Sequence, residues 1–333
     1  SRSVGELIGY LFASLALTLG TFFFLYSMKY YITILYVLVF SRNQAQVNES
    51  GIMNNGEVDY DSSYNTSFII HNSQHTGLIP DLSNVTLSRR PFVSIHLPLY
   101  NEKRVVNRLL EAVTSMEYYV EVEEAGKVDK GESGSGLKGS KGLTLSPGQR
   151  IPNFEVIVCD DSTDETKDIV EEWRNHPLIK ISHRENRVGF KGAALKQALT
   201  LMDPRTEFIL VFDADFLPFP DTITQFLKYF QVSAGGNLQP TTYNQQPIAA
   251  VQGYQWHVLN KSENWITRGV RTEYAGSYVV ERSGTEAYQG LKQIAGSVFM
   301  VRADILKNPS YSWGSSITED FELTLKLYRD GYK

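Results

Sequence analysis

Short apolar runs alternate with amphipathic segments along most of the second part of the chain. Runs bounded by polar turns predict buried strands, whereas longer stretches with apolar residues three or four positions apart predict helices. The predicted strands are Pro91 to Leu97, Phe154 to Cys159, Ile179 to Ser182, Phe208 to Phe212 and Ile248 to Gly253. The predicted helices are Glu102 to Met116, Asp164 to Trp173, Lys191 to Leu201 and Phe321 to Tyr328. This alternation predicts an α/β fold with a mainly parallel sheet flanked by helices.

The N-terminal part has a different pattern. Leu7 to Met28 contains no charged residue and is long enough to cross a bilayer as one helix. Lys29 then interrupts, and Tyr30 to Phe40 is too short to cross again, so we expect it to continue the helix at the interface. A cleaved signal peptide fits less well, because the apolar stretch is too long and no small-residue cleavage site follows. Residues 1–41 are therefore predicted to be a membrane segment with an N-terminal transmembrane helix.

Charges beside this segment predict its orientation. Arg42 follows it, whereas Arg2 and Glu6 nearly cancel in front of it, which favours a cytoplasmic carboxyl side. Glycosylation acceptor patterns begin at Asn48, Asn65 and Asn84, although such tripeptides are common by chance in sequence rich in Asn and Ser. Use of these acceptors would reverse the predicted orientation.

Composition divides the remaining chain. Residues 42–90 are rich in Asn, Ser and Gly without a sustained apolar period, and are predicted to be a disordered linker. Residues 91–333 are predicted to form one domain, in which the Gly-, Ser- and Lys-rich stretch at about 120–150 is a flexible insertion.

Length, charge and cysteine content exclude several classes of protein. A chain of 333 residues with 42% hydrophobic content can bury a full domain core. The net charge of −5 gives no general attraction to a polyanion, so we expect no nucleic-acid partner. The single cysteine, Cys159, lies in an apolar run, which excludes a disulfide within the chain and favours a small core residue.

Two carboxylates directly follow one of the predicted strands. Asp213 and Asp215 come after Phe208 to Phe212, at the carboxyl end where ligands of open α/β sheets gather. Desolvating two like charges side by side is unfavourable without a cation. Oxygen ligands favour Mg²⁺ or Mn²⁺, and such ions take further ligands from waters and substrate phosphates. The pair therefore predicts a metal site for a diphosphate substrate.

Three further segments carry polar groups. Helix capping explains the sequence after Asp161, but it does not explain Asp160 and Asp161 themselves, so we expect one of them to contact a nucleotide base or ribose. Gly189 permits close backbone approach, and Lys191 at a helix start is placed to meet phosphate oxygens. A solvated charged turn is the alternative interpretation. In isolation, the acidic residues after Thr318 are better explained by a capped helix start than by a functional role.

In this order, the motifs resemble family 2 glycosyltransferases, specifically the membrane-embedded cellulose synthase-like branch that includes plant glucomannan and xyloglucan-backbone synthases. The resemblance extends from about Phe92 to Lys333. The motifs that carry it are Leu99-Tyr100-Asn101-Glu102, Asp160-Asp161-Ser162-Thr163-Asp164, Arg184-Glu185-Asn186-Arg187 with Gly189-Phe190-Lys191, Asp213 with Asp215, Val251-Gln252, Ala295-Gly296-Ser297 and Thr318-Glu319-Asp320. Each motif alone is common, whereas their joint occurrence at suitable spacing is specific.

The resemblance implies a GT-A fold and assigns roles on the donor side. Asp160 or Asp161 would contact the nucleotide, and Lys191 would lie near the diphosphate. Asp215 and Asp213 would hold Mg²⁺ or Mn²⁺, with Asp213 also contacting the nucleotide-sugar.

The resemblance also assigns roles on the acceptor side. Asp320 would be the general base that removes the proton of the acceptor hydroxyl, with Glu319 beside it. The acceptor path would be lined by Gln252, Gly296 and Ser297, with Trp256 placed to stack on a sugar ring.

The implied activity is inverting transfer of a hexose from a UDP- or GDP-hexose to a growing β-linked polysaccharide. A single transfer to a polyprenyl phosphate or other lipid is an alternative, and so is an inert scaffold of a polymer-secreting complex. The implied enzyme is an integral protein of the plasma membrane, or of the Golgi membrane in a eukaryote, and membrane lipid is among its partners. Its catalytic domain is expected to be cytoplasmic. Polymerising members carry a Gln-x-x-Arg-Trp motif and further spans downstream, whereas this chain stops at Lys333 and begins at Ser1 without a Met. We therefore expect it to be cut at both ends.

Overall fold

A computed structural model describes residues 4–48, 82, 85–121, 148–232, 242–243, 246–255, 263–287 and 290–332. The chain divides into two compact units. The first comprises Ser1–Ser83 with Trp256–Lys292, and the second comprises Asn84–Gln255 with Gln293–Lys333. Most of the predicted linker, most of the predicted insertion, Asn65 and Asn84 lie outside the described residues. The sequence did not predict that residues 256–292 group with the N-terminal segment.

The second unit contains all the strands of the described residues. They are β1 (Phe92–Leu99), β2 (Tyr119–Glu121), β3 (Arg150–Pro152), β4 (Phe154–Asp160), β5 (Ile179–His183), β6 (Thr206–Val211), β7 (Thr242–Tyr243), β8 (Gln246–Pro247), β9 (Ala250–Gln252) and β10 (Phe299–Arg302).

Helices follow or connect most of these strands. In chain order they are α1 (Val4–Asn48), α2 (Val106–Thr114), α3 (Thr166–Glu172), α4 (Phe190–Ala198), α5 (Thr222–Val232), α6 (Trp265–Ala275), a π-helix (Gly276–Glu281), α7 (Arg282–Ala287), α8 (Ala303–Lys307) and α9 (Glu319–Arg329).

A six-stranded sheet in the order β5-β4-β1-β6-β10-β9 forms the centre of the second unit. The four strands from β5 to β6 are parallel, whereas β10 is antiparallel to both of its neighbours. The remaining four strands form two separate pairs. The prediction of a mainly parallel sheet is confirmed.

Both faces of the sheet are covered, which explains why its strands are continuous apolar runs rather than alternating ones. In β4, Val156 and Val158 pack with α2 on one face. Ile157 and Cys159 pack on the other face with residues of α4, α8 and α9. Burial raises the pKa of the Cys159 thiol to about 12, as expected of a core residue.

Helix starts differ from the predicted ranges more than strand ends do. Helix α2 begins at Val106 rather than Glu102, because Asn101 has a left-handed φ of 59° and a turn follows it. Helix α3 begins at Thr166 rather than Asp164, since the Asp164 carboxylate accepts the Thr166 N–H at 3.0 Å. Short polar side chains compete locally with helix formation in this way.

The first unit is built on α1. Within it, Ile8–Lys29 is long and apolar enough to cross a membrane, and large side chains such as Leu11 and Phe12 are exposed. The helix continues beyond Lys29 as predicted, and it ends at Asn48, so residues 42–48 are helical rather than part of a disordered linker. In the same unit, Lys29 Nζ lies 3.9 Å from Glu281 of the π-helix.

Candidate active site

The predicted site residues meet at one edge of the central sheet. Strands β1, β4, β5 and β6 are parallel, so their carboxyl ends share this edge. Pairing of Phe299 with both Val211 and Gln252 brings the end of β9 and the start of β10 to the same edge. The acidic pairs after β4 and β6 are therefore near the turn that precedes β10.

The two aspartates at the end of β4 are bound within the protein. Asp161 forms a two-pronged ion pair with Arg184, whose Nε donates to Asp161 at 2.6 Å. This interaction raises the pKa of the Arg184 guanidinium above its ordinary value. Asp160 accepts the Ser162 N–H at 3.0 Å, and its second oxygen lies 2.7 Å from His183 Nδ1. Both carboxylates are buried, and nucleotide contact stays a prediction for them.

Asn101 joins the loop after β1 to the loop after β4. Its N–H donates to Ser162 Oγ at 2.9 Å, and its side-chain oxygen accepts the backbone N–H groups of Thr163 at 2.9 Å and Asp164 at 3.3 Å. Capping was expected for these residues, but Ser162 is bound to Asn101 instead. Sequence reasoning assigned no role to Asn101, although asparagine is among the residues that tolerate left-handed backbone.

Lys191 lies where three elements come together. Its Nζ donates to Asp213 Oδ1 at 2.6 Å and to the Gly296 carbonyl at 2.5 Å, and lies 3.8 Å from Glu319 Oε1. Left-handed backbone at Gly189 (φ 75°) and Phe190 (φ 49°) turns the chain into α4 just before Lys191. The structure thus brings Lys191 to the acidic edge, whereas residues 185–188 of the preceding turn are exposed to solvent. Phosphate contact stays a prediction for Lys191.

The carboxylates after β6 face solvent and a third acidic side chain. Asp213 is partly exposed, Asp215 is exposed, and the backbone N–H of Asp213 donates to Ser297 Oγ at 3.3 Å. The pKa of Glu102 is raised, first by burial and then by the charges of Asp215 and Asp213. Glu102 was quoted only as part of a motif, and its position beside the acidic pair was not predicted.

The donor set at this edge fits a hard divalent ion. Among the described residues, no group of three or more His, Cys, Asp or Glu side chains is arranged to hold a metal. Mg²⁺ and Mn²⁺ can nevertheless be held by one or two carboxylates when substrate phosphates and waters complete the coordination. After burial, the charges of Asp215 and Asp213 raise the pKa of Glu102, and a divalent ion at this edge would offset these charges. Asp213 and Asp215 are the residues that would hold it.

The turn before β10 is bound by Gln252. Gln252 Oε1 accepts the Ala295 N–H at 2.8 Å, and its Nε2 lies 2.7 Å from the Ser297 carbonyl. Gly296 and Val298 both have left-handed backbone, with φ of 70° and 55°. Gln252, Gly296 and Ser297 were predicted to line an acceptor path; the structure brings them together beside Lys191 and Asp213.

The acidic start of α9 lies against the same turn. Glu319 is buried, and burial raises the pKa of its carboxyl group. Asp320 is more accessible, and a Cβ added to Gly296 would lie 3.0 Å from Asp320 Oδ2. Thr318 precedes the helix as predicted, but its side chain makes no capping hydrogen bond. The Asp320 carboxylate instead accepts the Phe321 N–H at 2.8 Å.

Six of the predicted site residues thus form one cluster, comprising Lys191, Asp213, Gly296, Ser297, Glu319 and Asp320, with Gln252 bound to its turn. Asp160 and Asp161 lie at the same sheet edge with internal partners of their own. Trp256 lies outside the described residues.

A family model described as "Glycosyltransferase like family 2" matches residues 145–333. This range includes the ends of β4 and β6, Lys191, the turn before β10 and the start of α9. The chain belongs to this family. Together with the mainly parallel sheet covered on both faces, membership confirms the predicted GT-A-type fold.

Among characterised proteins, the chain is similar to glucomannan 4-beta-mannosyltransferase 2 of Arabidopsis thaliana, with 27% identity over 266 residues, 77% of this chain and 41% of the relative. It is also 27% identical to probable glucomannan 4-beta-mannosyltransferase 9 of Oryza sativa subsp. japonica, over 73% of this chain and 39% of that protein. The chain therefore spans less than half the length of these relatives. They support the predicted cellulose synthase-like branch.

Among solved structures, the chain is similar to a mannosyltransferase from Pyrobaculum calidifontis in complex with GDP-Man and Mn²⁺, with 18% identity and a TM-score of 0.46. That alignment covers 75% of this chain and 56% of the other. S. aureus TarS 1-349 in complex with UDP-GlcNAc aligns at 18% identity and a TM-score of 0.41, over 71% of this chain and 53% of the other.

Proposed function

We propose that this chain carries the donor site and the general base of a membrane-bound, metal-dependent inverting glycosyltransferase. It transfers a hexose from a nucleotide-sugar to a growing β-linked polysaccharide. A mannosyl donor is the first to test, because the similar proteins are named glucomannan 4-beta-mannosyltransferase 2 and probable glucomannan 4-beta-mannosyltransferase 9. Residues Ile8–Lys29 of α1 anchor the enzyme in a membrane, with the sheet-containing unit on the cytoplasmic side.

The convergence on Lys191 is the observation that carries this proposal. Lys191 touches Asp213 after β6 and the Gly296 carbonyl, and lies within ion-pair distance of Glu319 at the start of α9. Residues more than a hundred positions apart thus meet at the ligand-binding edge of a glycosyltransferase fold. An inert scaffold would not need to place a lysine and several partly desolvated carboxylates together.

On the donor side, Asp213 and Asp215 would hold Mg²⁺ or Mn²⁺, and the bound ion would offset charge on the departing diphosphate. Lys191 binds phosphate oxygens of the diphosphate, since its amine already lies at Asp213. Asp160 or Asp161, at the end of the neighbouring strand β4, contacts the nucleotide.

On the acceptor side, Asp320 accepts the proton of the attacking hydroxyl. The hydroxyl oxygen forms a bond to the anomeric carbon as the bond from that carbon to the diphosphate oxygen breaks. The diphosphate leaves with the electron pair, and in-line displacement inverts the anomeric centre. Asp320 suits this role better than Glu319, because Glu319 is buried beside Lys191 while Asp320 is more accessible.

Calorimetry of UDP- and GDP-hexose binding, with and without Mn²⁺, tests the metal site in the full-length enzyme. Asp215→Asn should strongly weaken the metal-dependent part of binding. The matched control is Asp304→Asn, which changes an exposed carboxylate in α8, just after β10. Because β10 is antiparallel to β6, it ends at the opposite edge of the sheet from Asp215. Unchanged metal-dependent affinity in Asp215→Asn would contradict the assignment.

Proteolysis of sealed cells tests the orientation. Protease added to the outside of intact cells should not cleave near Asp213, because nucleotide-sugars reach the site from the cytosol. Cleavage there, or glycans at Asn48, Asn65 or Asn84, would overturn the cytoplasmic assignment.

A further inference from the structure

The side chain of Gln252 is bound almost entirely to backbone of the turn before β10. Its Nε2 lies 2.7 Å from the carbonyl oxygen of Ser297, 3.1 Å from that of Val298 and 3.0 Å from that of Gly253. Its Oε1 accepts the Ala295 N–H at 2.8 Å. Both Nε2 protons therefore have partners inside the protein, so the amide donors are not free for a sugar hydroxyl.

The turn needs this support because its backbone is strained. Val298 has a φ of 55°, a left-handed conformation that is rare and strained for a β-branched residue. The Gly253 N–H donates to the Val298 carbonyl at 2.6 Å, and a Cβ on Gly253 would lie 2.7 Å from Val298 Cγ1. Gln252, the last residue of β9, and Gly253, which follows it, thus contact the strained turn from one side.

On its other side, the turn contacts Asp213, Lys191 and Asp320. Ser297 Oγ accepts the backbone N–H of Asp213 at 3.3 Å, and the Gly296 carbonyl accepts from Lys191 Nζ at 2.5 Å. The Cα of Gly296 lies against the Asp320 carboxylate so closely that an added Cβ would be 3.0 Å from Asp320 Oδ2. A shift of the turn would therefore move one metal-site carboxylate, the phosphate lysine and the base together.

We propose that Gln252 is a positioning residue that fixes Asp213, Lys191 and Asp320 relative to one another through the turn 295–298. This proposal rests on the proposed function, since it concerns the same site. It replaces the predicted role of Gln252 as a direct acceptor contact. Groups that orient metal-binding side chains typically change metal affinity or activity by about 10- to 100-fold when they are replaced.

The test compares Gln252→Met with Gln225→Met in the full-length enzyme. Methionine has a similar length and removes every amide contact. Gln225 is a matched control, because it is a partly buried glutamine of the same unit whose Nε2 binds only the Asp221 side chain. For each protein we would measure Mn²⁺ affinity in the presence of nucleotide by electron paramagnetic resonance, together with kcat and KM for sugar transfer and the thermal midpoint.

We expect Gln252→Met to lower Mn²⁺ affinity about tenfold and kcat about 100-fold at temperatures well below its midpoint, with KM for the acceptor nearly unchanged. Gln225→Met should behave as wild type. A Gln252→Met protein that loses only thermal stability, or that raises only the acceptor KM, overturns the proposal. If Gln252→Met does not fold, Ser297→Ala decides, because it removes only the contact to Asp213; it should weaken Mn²⁺ binding, and normal binding overturns the proposal.

Failure of the proposed function gives a different result. In that case wild type itself shows no metal-dependent nucleotide binding and no sugar transfer, and Gln252 has no site to position. Wild-type binding and transfer with a normal Gln252→Met enzyme overturns the role of Gln252 alone.

Discussion

Gly192 allows α4 to approach the start of α9 at a distance that no other residue permits. A Cβ at position 192 would lie 2.5 Å from the Gly314 carbonyl oxygen and 3.2 Å from Glu319 Cβ. The nearest of these atoms belongs to the backbone, so it cannot move aside as the end of a flexible side chain can. Gly192→Ala should therefore separate Lys191, on α4, from Glu319, on α9.

Gly269→Ala is the control for the effect of Gly192→Ala on the free energy of unfolding. It lies within α6, and a Cβ there would meet nothing within 4 Å. Gly269→Ala should therefore show only the helix-propensity gain of about 1 kcal/mol. At Gly192 the same gain is opposed by an overpacking cost of about 1–3 kcal/mol. The free energy of unfolding of Gly192→Ala should thus lie about 1–3 kcal/mol below that of Gly269→Ala.

Calorimetric melting of the full-length protein and its two variants measures this difference. For a unit of about 200 residues, about 1 kcal/mol shifts the midpoint by about 2–4 °C. Measured against wild type in the transition of its own unit, the midpoint shift of Gly192→Ala should therefore lie about 2–12 °C below that of Gly269→Ala. Sugar transfer should fall in Gly192→Ala only, because only that change disturbs the contact between α4 and α9. Equal midpoints and equal transfer rates in the two variants would refute the reasoning.

Two further predictions concern single side chains. Asp320→Asn should lower turnover by about 10²- to 10⁴-fold while nucleotide affinity stays normal, and near-normal transfer measured beside that affinity would remove Asp320 from the mechanism. Burial lowers the pKa of His96 to about 3, below its ordinary value of 6.5. Between these two pH values only the unfolded chain binds a proton at this side chain, so the free energy of unfolding falls as the pH falls. The expected loss is ~1.4 kcal/mol per pH unit; urea melts of His96→Gln should show a shallower slope over this pH range, and an unchanged slope would contradict this prediction.

The sheet could be predicted from the sequence because burial on both faces leaves a clear signal. Val93, Ile95 and Leu97 have no exposed surface, and such continuous apolar runs are typical of parallel strands. The carboxyl ends of parallel strands then had to share one edge, and Asp160 and Asp213 both lie at that edge. Membership of the family confirms the fold that these patterns indicated.

The side-chain partners at that edge could not be predicted, because they depend on backbone geometry that leaves no periodic signal. The left-handed φ of Val298 is disfavoured for its residue type, so local propensity argued against the conformation that the turn adopts. Gln252 was accordingly interpreted as a ligand contact rather than as a support for that turn. The left-handed Asn101, which joins two loops, left a weaker signal of the same kind in its residue type.

Charge balance explains why one lysine connects these elements. Asp213, Asp215 and Glu102 lie close enough for the aspartates to raise the pKa of Glu102, and Glu319 is also partly desolvated. Each of these groups favours a nearby cation, and Lys191 Nζ lies within 4 Å of both Asp213 and Glu319. On the proposed function, a nucleotide diphosphate adds more negative charge to this edge, which a lysine alone cannot balance. A divalent ion at Asp213 and Asp215 would offset that charge and leave Lys191 able to bind phosphate oxygens, so donor and metal should bind more tightly together than separately.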